Sequence, residues 1–325
     1  MTIVTNNTNI PLALAVWLLD DDYDYINEPN YVSATQLMKP TRQLILPKRV
    51  PKEMQTSDVS DFVSSAMGKT FHAGVERAWT RNPKRALRLM GYPESIIERI
   101  LVNPTPEQLA TVKEPITIYV EQREIREFEG FKIGGKFDMV ADGIVHDVKS
   151  TTCYTWLKGT RDEDYAIQGS IYKWLNPTKI TEDFIRIAFI FTDWQAALAK
   201  QNPKYPQQRL MYKDIPLWTT PEIEVWMRGR LFQLVRYANA ADKDIPECTA
   251  EELWQSEPQY KYYSDPTKTA GRATKNFDDF VEARQFMADK GGKGIIITVP
   301  GEAKRCGYCN AAPICEQRKR LFNIA

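Results

Sequence analysis

The segment GGKFDMVADGIVHDVKS, residues 134–150, constrains the fold of this chain more than any other part of the sequence. Apolar residues flank Asp142-Gly143 on both sides, and this dipeptide favours a two-residue hairpin turn. The pattern therefore predicts a β-hairpin over residues 131–149. The polar side chains that interrupt its apolar strands are expected at the edge of a core.

Three charged residues of this hairpin predict metal-dependent chemistry. In a strand, residues i and i+2 face the same side, so Asp147 and Lys149 project together. The turn brings Asp138, at the end of the first predicted strand, alongside them. Two carboxylates that face one point suit a hard divalent cation such as Mg²⁺. A lysine beside them can orient a water molecule and neutralise a phosphate, so the three groups would support phosphodiester hydrolysis.

The elements predicted around the hairpin indicate an α/β fold. The hydrophobic spacing predicts helices over 58–79, 161–175 and 221–241, one or two helices over 94–111, strands over 116–127 and 184–191, and a last strand in GIIITV. This order favours a mixed central β-sheet flanked by helices. We expect an N-terminal segment (1–57), a core that carries the site (58–244) and a C-terminal cysteine-cluster region packed on that core (245–325).

Composition and charge exclude several classes of protein. With 11% aromatic residues, and with 43 basic against 42 acidic side chains, the chain is neither disordered nor a basic DNA-coating protein. No apolar run approaches the roughly 20 residues that cross a bilayer, and the N-terminus lacks the pattern of a secretory signal. We therefore expect a cytoplasmic protein with no membrane partner, in which any DNA-binding charge is local.

Four short motifs around the hairpin resemble the PD-(D/E)xK nuclease superfamily, and most closely its RecB-like exonuclease branch. In chain order they are Gly68-x3-His72-x3-Glu76, Gly135-Lys136-Phe137-Asp138, Asp147-Val148-Lys149 and Gln168-x3-Tyr172. Each motif is weak alone, but their order and spacing follow the family pattern. The resemblance implies a PD-(D/E)xK restriction-endonuclease-like core and a deoxyribonuclease that depends on Mg²⁺ or Mn²⁺.

The resemblance also implies the roles of the residues nearest the chemistry. Asp138 and Asp147 would ligate the metal, and the carbonyl of Val148 would assist them. His72 would add an imidazole ligand from its helix. Lys149 would position the attacking water and stabilise the transition state.

Several accessory roles are open at the level of sequence. Gln168 and Tyr172, one helical turn apart, would contact DNA or support the site. Glu76 would be a partner of the metal ligands or an ordinary carboxylate on a helix surface. Glu121 and Glu124 precede the hairpin and either could join the site; the sequence does not choose between them.

A cluster of cysteines near the C-terminus predicts a second metal site. Cys306, Cys309 and Cys315 have the spacing C-x2-C-x5-C, and clustered cysteines in a cytosolic chain favour metal over disulfides. A thiolate-bound Zn²⁺ or iron–sulfur cluster generally has four ligands. Iron–sulfur nucleases of the RecB-like branch share this spacing, but their fourth cysteine precedes the core, where this chain has Lys39.

Cys248 is the replacement that the sequence offers for that fourth ligand. Its context, Pro246-x-Cys248-x3-Glu252-x-Trp254 before a terminal cysteine cluster, resembles a group of phage-encoded nucleases of the superfamily. This resemblance implies one four-thiolate site that fastens the C-terminal region, and its ligands would be Cys248, Cys306, Cys309 and Cys315. Zn²⁺ and a [4Fe–4S] cluster both suit such a site, and the sequence does not separate them.

Clusters of basic residues are the candidates for contacts with DNA. They are Lys39, Arg42, Lys48 and Arg49; Arg77, Arg81, Lys84 and Arg85; and Lys304, Arg305, Arg318, Lys319 and Arg320. The acidic run of residues 20–24, DDDYD, is expected to be a solvated surface segment.

These observations favour a DNA exonuclease that acts on linear ends or single strands. The resemblance places it in phage DNA replication or recombination, in the host cytoplasm, with other proteins of those processes as partners. Two alternatives stay open. One is a structure-specific DNA endonuclease, and the other is a non-catalytic module that binds DNA or assembles a complex.

Overall fold

The computed structural model of the protein describes residues 3–324. Its strands are β1 (Ile3–Thr5), β2 (Tyr31–Ser33), β3 (Thr56–Asp58), β4 (Ile100–Val102), β5 (Ile116–Phe128), β6 (Phe131–Ala141), β7 (Ile144–Thr151), β8 (Phe184–Phe191), β9 (Leu210–Pro216), β10 (Gln259–Tyr263), β11 (Lys275–Phe277) and β12 (Ile295–Val299). Its α-helices are α1 (Leu12–Leu19), α2 (Ala34–Leu37), α3 (Thr41–Ile45), α4 (Val63–Arg81), α5 (Pro83–Leu89), α6 (Glu94–Ile97), α7 (Pro106–Thr111), α8 (Cys153–Lys158), α9 (Asp162–Leu175), α10 (Ala196–Gln201), α11 (Thr220–Tyr237), α12 (Phe280–Asp289) and α13 (Glu316–Phe322). Short 3₁₀ helices cover Leu46–Arg49, Lys52–Met54, Val59–Phe62, Asp242–Asp244 and Lys304–Tyr308.

The chain divides into two compact units. The first unit contains residues 1–39 and 56–235, and the second contains residues 40–55 and 236–325. Residues 40–55, which we expected in an N-terminal segment, therefore belong with the C-terminal residues. The predicted functional boundaries after residues 57 and 244 stay a prediction, because the two units are defined by packing alone.

A mixed sheet forms the centre of the first unit. Its strands run in the order β4-β5-β6-β7-β8-β9, and β2 also pairs with β6. Strands β5, β6 and β7 are successively antiparallel, β7 and β8 are parallel, and β9 is antiparallel to β8. Short β4 runs parallel to β5, and β2 runs parallel to β6. The architecture confirms the predicted α/β class with a mixed central sheet flanked by helices.

Strand β6 changes its neighbour along one edge, and this change opens the sheet. Its first residues pair with β2, as Ile133 does with Val32, and its last three pair with β7. The pairing with β7 stops at Met139 and His146. At the next residue, Asp138, the carboxylate rather than the backbone takes the N–H of Val148, at 2.9 Å. The two strands therefore separate where their acidic side chains lie.

Helix α9 packs on this sheet and builds much of the core around it. Its buried Ile171 and Tyr172 share one apolar cluster with Phe137 of β6 and Ile187 of β8. Gly135 of β6 allows the close approach. A Cβ at this position would lie 2.8 Å from a methyl carbon of Leu175 and 3.0 Å from the ring of Tyr172.

Several of the predicted helices and strands are present in the structure. The hairpin, the strand over 184–191 and the helix over 161–175 are confirmed, as is the strand in GIIITV. The predicted helix over 58–79 begins at Val63, because Asp58 caps a 3₁₀ turn before it. Residues 94–111 hold two short helices, as allowed, but β4 lies between them and pairs with β5.

The second unit contains its own small sheet. Strands β11, β10 and β12 lie side by side and antiparallel, and helix α12 packs Ala283 and Phe286 against Tyr262 and Phe277. Residues of α3 meet the C-terminal segment in another cluster, where Ile45 packs with Ala311 and Cys315. In neither unit does a helix within residues 3–324 have the length and apolar character needed to cross a bilayer.

Candidate active site

Three elements of the first unit bring metal-binding side chains together. His72 comes from α4, Glu121 from β5 and Asp138 from β6, and one ligand atom of each lies within 4.8 Å of the others. Among residues 3–324 this is the group of His, Cys, Asp and Glu side chains that meets such a spacing. The structure therefore gathers two predicted site residues, His72 and Asp138, with one that the sequence left open.

Asp138 lies at the centre of this group. Its Oδ2 accepts the backbone N–H of Val148 and lies 3.1 Å from Nδ1 of His72. Burial lowers the pKa of His72, but the hydrogen bond and charge of Asp138 outweigh burial and hold that pKa above its usual value. The imidazole is thus fixed by a carboxylate, as is common around metal-binding histidines.

Glu121 joins the group through an unusual backbone conformation. The pairs Val120 with Met139 and Gln122 with Phe137 place Glu121 opposite Asp138, and its φ is +52°. Residues other than glycine rarely adopt this left-handed backbone conformation, and residues strained in this way concentrate at functional sites. Oε2 of Glu121 lies 2.8 Å from Nζ of Lys136. Burial raises the pKa of Glu121, although the ammonium of Lys136 opposes the rise.

No local pattern in the sequence selects Glu121 over Glu124. Glu124 is exposed and stands outside the group, whereas Glu121 is only partly exposed. Selection depends on the left-handed φ of Glu121 and on its position opposite Asp138. Both are set by the pairing of β5 with β6, which becomes visible only in the folded chain.

Asp147 and Lys149 project together from β7, as predicted, and form an ion pair in which Asp147 is buried and Lys149 is partly exposed. Asp147 is 1% exposed, and its Oδ2 lies 2.5 Å from Nζ of Lys149. This contact is an ion pair without the geometry of a hydrogen bond, so Oδ2 has no hydrogen-bond donor. The other oxygen, Oδ1, accepts from Nε2 of Gln168 at 3.3 Å. Asp147 stands outside the group formed by His72, Glu121 and Asp138.

The charges of this ion pair are set by their surroundings. Burial and the nearby charge of Asp138 raise the pKa of Asp147 to about 6, although the ammonium of Lys149 opposes this. Burial alone would lower the pKa of Lys149. The carboxylates of Asp147 and Asp138 outweigh it and hold the lysine pKa above its usual value. Lys149 therefore stays cationic at neutral pH.

The accessory residues take different places. Gln168 and Tyr172 are both buried, and Nε2 of Gln168 donates to the hydroxyl of Tyr172 at 2.8 Å. Burial raises the pKa of that hydroxyl well above its usual value. These two residues therefore support Asp147 from inside the core. Glu76 is exposed on α4, one turn after His72. The role predicted for the carbonyl of Val148 stays a prediction.

The donor set of the site fits a divalent cation. Carboxylate oxygens are the ligands that Mg²⁺ and Mn²⁺ prefer, and imidazole also binds transition metals. Oδ2 of Asp147 pairs with the Lys149 ammonium but accepts no hydrogen bond, and the charges of Asp138 and His72 both act on this buried carboxyl. The residues that would hold a metal are therefore His72, Glu121 and Asp138, with Asp147 beside them.

The four predicted cysteine ligands line one cavity of the second unit. Cys306 and Cys315 are buried, and Cys248 and Cys309 are partly exposed. Within the described chain, no three of these sulfurs lie within 4.8 Å of one another. Both zinc and a [4Fe–4S] cluster take four thiolate ligands, so the lining of this cavity suits either centre.

Two of the basic residues predicted to contact DNA are occupied inside the protein. Arg42 is 3% exposed and donates to the carbonyl of Ile245 at 2.9 Å. Arg49 donates to the carbonyls of Tyr237, Ala238 and Ala240. The burial of Arg42 makes the prediction wrong for that residue. Arg49 is partly exposed, and its role in DNA contact stays a prediction.

Comparisons with known proteins add little to this geometry. No family model matches the chain, and no curated protein matches it. Among solved structures, a similar chain is described as "Crystal structure of SSO0001". The alignment covers 74% of this chain and 95% of that chain, with 16% sequence identity and a TM-score of 0.43. A likeness of this degree carries no functional argument, so the function is argued from the site.

Proposed function

We propose that the protein is a Mg²⁺-dependent deoxyribonuclease with a PD-(D/E)xK-like core. The observation that supports this most is the grouping of His72, Glu121 and Asp138 beside the ion pair that buried Asp147 makes with Lys149. An acidic metal site with one fixed ammonium matches the needs of phosphodiester hydrolysis, in which negative charge develops on the phosphate. A surface ion pair at a strand end would not need this depth of burial.

Each residue of the site has a defined task under this proposal. When bound, the divalent metal polarises the phosphate and lowers the pKa of a coordinated water. Asp138 and Glu121 offer the carboxylate oxygens, and the Val148 N–H and the Lys136 ammonium hold them in place. His72 offers an imidazole nitrogen, and Oδ2 of Asp147 is a further acceptor free of hydrogen bonds.

Lys149 is assigned to the attacking water and the charged phosphate. Its pKa lies above the usual value, so Nζ acts as a fixed positive charge and hydrogen-bond donor rather than as a general base. Asp147 holds Nζ at 2.5 Å, and Gln168 holds Asp147. A chain of buried contacts therefore fixes the direction of the lysine.

We further propose exonuclease action on linear ends or single strands, in phage DNA replication or recombination within the host cytoplasm. This part rests on the resemblance to the RecB-like branch. Other proteins of replication and recombination would be the partners. Endonuclease action and a non-catalytic DNA-binding role are the alternatives that the experiment below separates.

The test uses end-labelled linear DNA and closed circular DNA, each with Mg²⁺ or with EDTA. Loss of linear DNA alone supports an exonuclease, and nicking of circles supports an endonuclease. DNA binding without cleavage would contradict the nuclease assignment. Lys149→Ala should lower the cleavage rate by about 10²- to 10³-fold, as loss of a donor to developing charge does. Lys132→Ala is the control, because Lys132 lies on the same hairpin as Lys149 but pairs with exposed Glu28.

We also propose that Cys248, Cys306, Cys309 and Cys315 hold a metal centre, either Zn²⁺ or a [4Fe–4S] cluster. All four cysteines line one cavity of the second unit, and both centres take four thiolate ligands. Elemental analysis of the purified protein, together with its visible absorbance, tests this choice. Iron with a brown colour identifies a cluster, stoichiometric zinc in a colourless protein identifies a zinc site, and a protein that holds neither contradicts the proposal.

A further inference from the structure

Three cations of the first unit flank the candidate active site. Lys69 lies three residues before His72 and so on a neighbouring part of the same helix face. Nζ of Lys136 lies 2.8 Å from Oε2 of Glu121. Arg123 is paired with Lys136 across β5 and β6. A substrate phosphate near the metal group would therefore meet these three positive charges.

The acidic run of residues 20–24 already occupies these cations. Asp21 lies 2.6 Å from Nζ of Lys69, which also donates to the carbonyl of Asp20. Asp24 lies 2.7 Å from the guanidinium of Arg123 and 3.9 Å from Nζ of Lys136. The sequence predicted a solvated surface segment. The carboxylates of Asp21 and Asp24 are indeed partly in water, but they are also paired with cations.

This run is a short anionic segment of open chain. Residues 20–28 have neither helical nor strand structure, so the carboxylates are carried on an open chain. The ring of Tyr23 lies 5.3 Å from the charged groups of both Arg123 and Lys136. Negative groups and an aromatic ring on an open chain present the same chemistry as the phosphates and bases of single-stranded DNA.

We propose that Lys69, Arg123 and Lys136 form a DNA-phosphate-binding surface beside the active site, and that residues 20–24 occupy it until DNA displaces them. This inference rests on the proposed function for the identity of the ligand. The side chains of Asp21 and Asp24 are 43% and 68% exposed, so these ion pairs are screened and weak enough to exchange. The run therefore acts as a built-in competitor that sets the threshold for DNA binding.

The test measures DNA affinity separately from cleavage. Fluorescence anisotropy of a labelled single strand, in EDTA, gives the dissociation constant for Asp21→Asn, Asp24→Asn and Asp22→Asn. Asp22 carries the same charge in the same run, but the described structure gives it no ion pair with a cation, so it is the matched control.

The expected result is tighter binding in the two competitor variants. Each should lower the dissociation constant by about two- to fivefold at low salt, as loss of one exposed ion pair permits, and the gain should fade at high salt. Asp22→Asn should change it by less. Arg123→Gln should weaken binding and reduce the salt slope by about one.

Equal dissociation constants for Asp22→Asn, Asp21→Asn and Asp24→Asn would refute the role of the acidic run as a competitor. Unchanged DNA binding by Arg123→Gln would refute the phosphate-binding surface. The outcome for the proposed function is separate. The expected affinity changes without any cleavage would refute the nuclease and leave this inference standing. DNA cleavage without the affinity changes would refute this inference and leave the nuclease assignment standing.

A second, independent observation concerns Arg42 in the second unit. Arg42 and the four cysteines line the same cavity. Its guanidinium is held by the carbonyl of Ile245 and by an ion pair with Asp242, yet its buried Nε has no hydrogen-bond partner. Buried donors without a partner are rare in proteins, and each needs an explanation.

We infer that Nε of Arg42 donates a hydrogen bond to a thiolate sulfur of the metal-loaded cysteine centre. Four thiolates carry more negative charge than a divalent metal neutralises, and partners that hydrogen-bond to ligands orient them and tune the centre. Arg42 would thus be a positioning residue that ties residues 40–55 to the centre.

Metal retention tests this role. The rate of metal loss to a chelator is measured for the purified full chain and for Arg42→Gln, Arg42→Lys and Arg49→Gln. Arg49 is the matched control, because it also binds carbonyls of the second unit but does not line the cavity. Arg42→Gln should lose metal about 10- to 100-fold faster, as loss of such a partner does, and Arg49→Gln should stay near the parent rate.

Arg42→Lys keeps the positive charge but lacks Nε, so it distinguishes the hydrogen bond from charge alone. We expect it to lose metal faster than the parent even where its thermal midpoint is unchanged. Equal rates for all variants, or equal acceleration in Arg49→Gln, would overturn the inference. A parent protein that holds no metal would overturn it as well.

Discussion

The pair of Asp147 and Lys149 provides a quantitative test through its pH dependence. Asp147 is 1% exposed, and burial raises its pKa from 3.8 to about 6. The folded state therefore binds this proton more tightly than the unfolded state. Its contribution to stability is fully present below pH 3.8 and is lost as the pH rises through 6. At about 1.4 kcal/mol per pH unit, the loss is about 3 kcal/mol.

Replacing Lys149 by methionine should expose this cost. Above pH 7 the variant leaves a buried carboxylate without its cation, which costs about 3–5 kcal/mol. At pH 5 the carboxyl takes up a proton, so the penalty should fall by at least about 2 kcal/mol. The double variant Asp147→Asn/Lys149→Met has no buried charge and should return to the stability of the parent or exceed it.

The assay is urea unfolding followed by circular dichroism at pH 8 and pH 5, in EDTA. The free energies of unfolding of the parent, the two single variants and the double variant form a double-mutant cycle. Two results would refute the reasoning. One is a Lys149→Met penalty that is the same at both pH values, and the other is a double variant that loses the sum of the single penalties.

Three further predictions follow from the site and its support. Glu121→Gln should lower the cleavage rate by about 10²-fold and raise the Mg²⁺ concentration needed for half-maximal rate, because a carboxylate ligand is weakened; initial rates over a Mg²⁺ titration measure both. Gln168→Leu should lower kcat by about 10- to 100-fold with little change in KM, since it removes the donor that holds Asp147 without touching DNA. Gly135→Ala should cost about 1–3 kcal/mol in urea unfolding, because its Cβ would lie 2.8 Å from Leu175; an unchanged midpoint would show that helix α9 can shift away.

Local patterns predicted the elements that carry most of the site. The alternation on either side of Asp142-Gly143 gave the hairpin, and the apolar run at 184–191 gave β8. The i and i+2 rule placed Asp147 and Lys149 on one side of β7. These features depend on residues that are close together in the sequence, so local sequence patterns are enough to predict them.

Other features depend on partners that are distant in sequence. Glu121 joins the site because the pairing of β5 with β6 places it opposite Asp138 in a left-handed conformation. Val102 and its neighbours form β4 because β5 lies beside them. Neither the alternation of residues nor helical spacing records such pairings.

Long-range packing also changed the meaning of single residues. Arg42 belonged to a basic cluster that suggested DNA, but it is buried against Asp242 and Ile245, about two hundred residues later in the chain. Asp21 and Asp24 belonged to an acidic run without a partner in sequence, and the fold pairs them with Lys69 and Arg123. The charge of these side chains predicted that they are exposed, whereas their ion-pair and hydrogen-bond partners in the fold determine where they lie.

The central claim is that His72, Glu121 and Asp138 bind a divalent metal. Anomalous scattering from a crystal of the protein grown with Mn²⁺ tests it most directly. We expect a peak bonded to the carboxylates of Asp138 and Glu121 and to the imidazole of His72, and no peak there in Asp138→Asn. Crystals with Mn²⁺ bound elsewhere, and with these three side chains in contact without an ion between them, would contradict it.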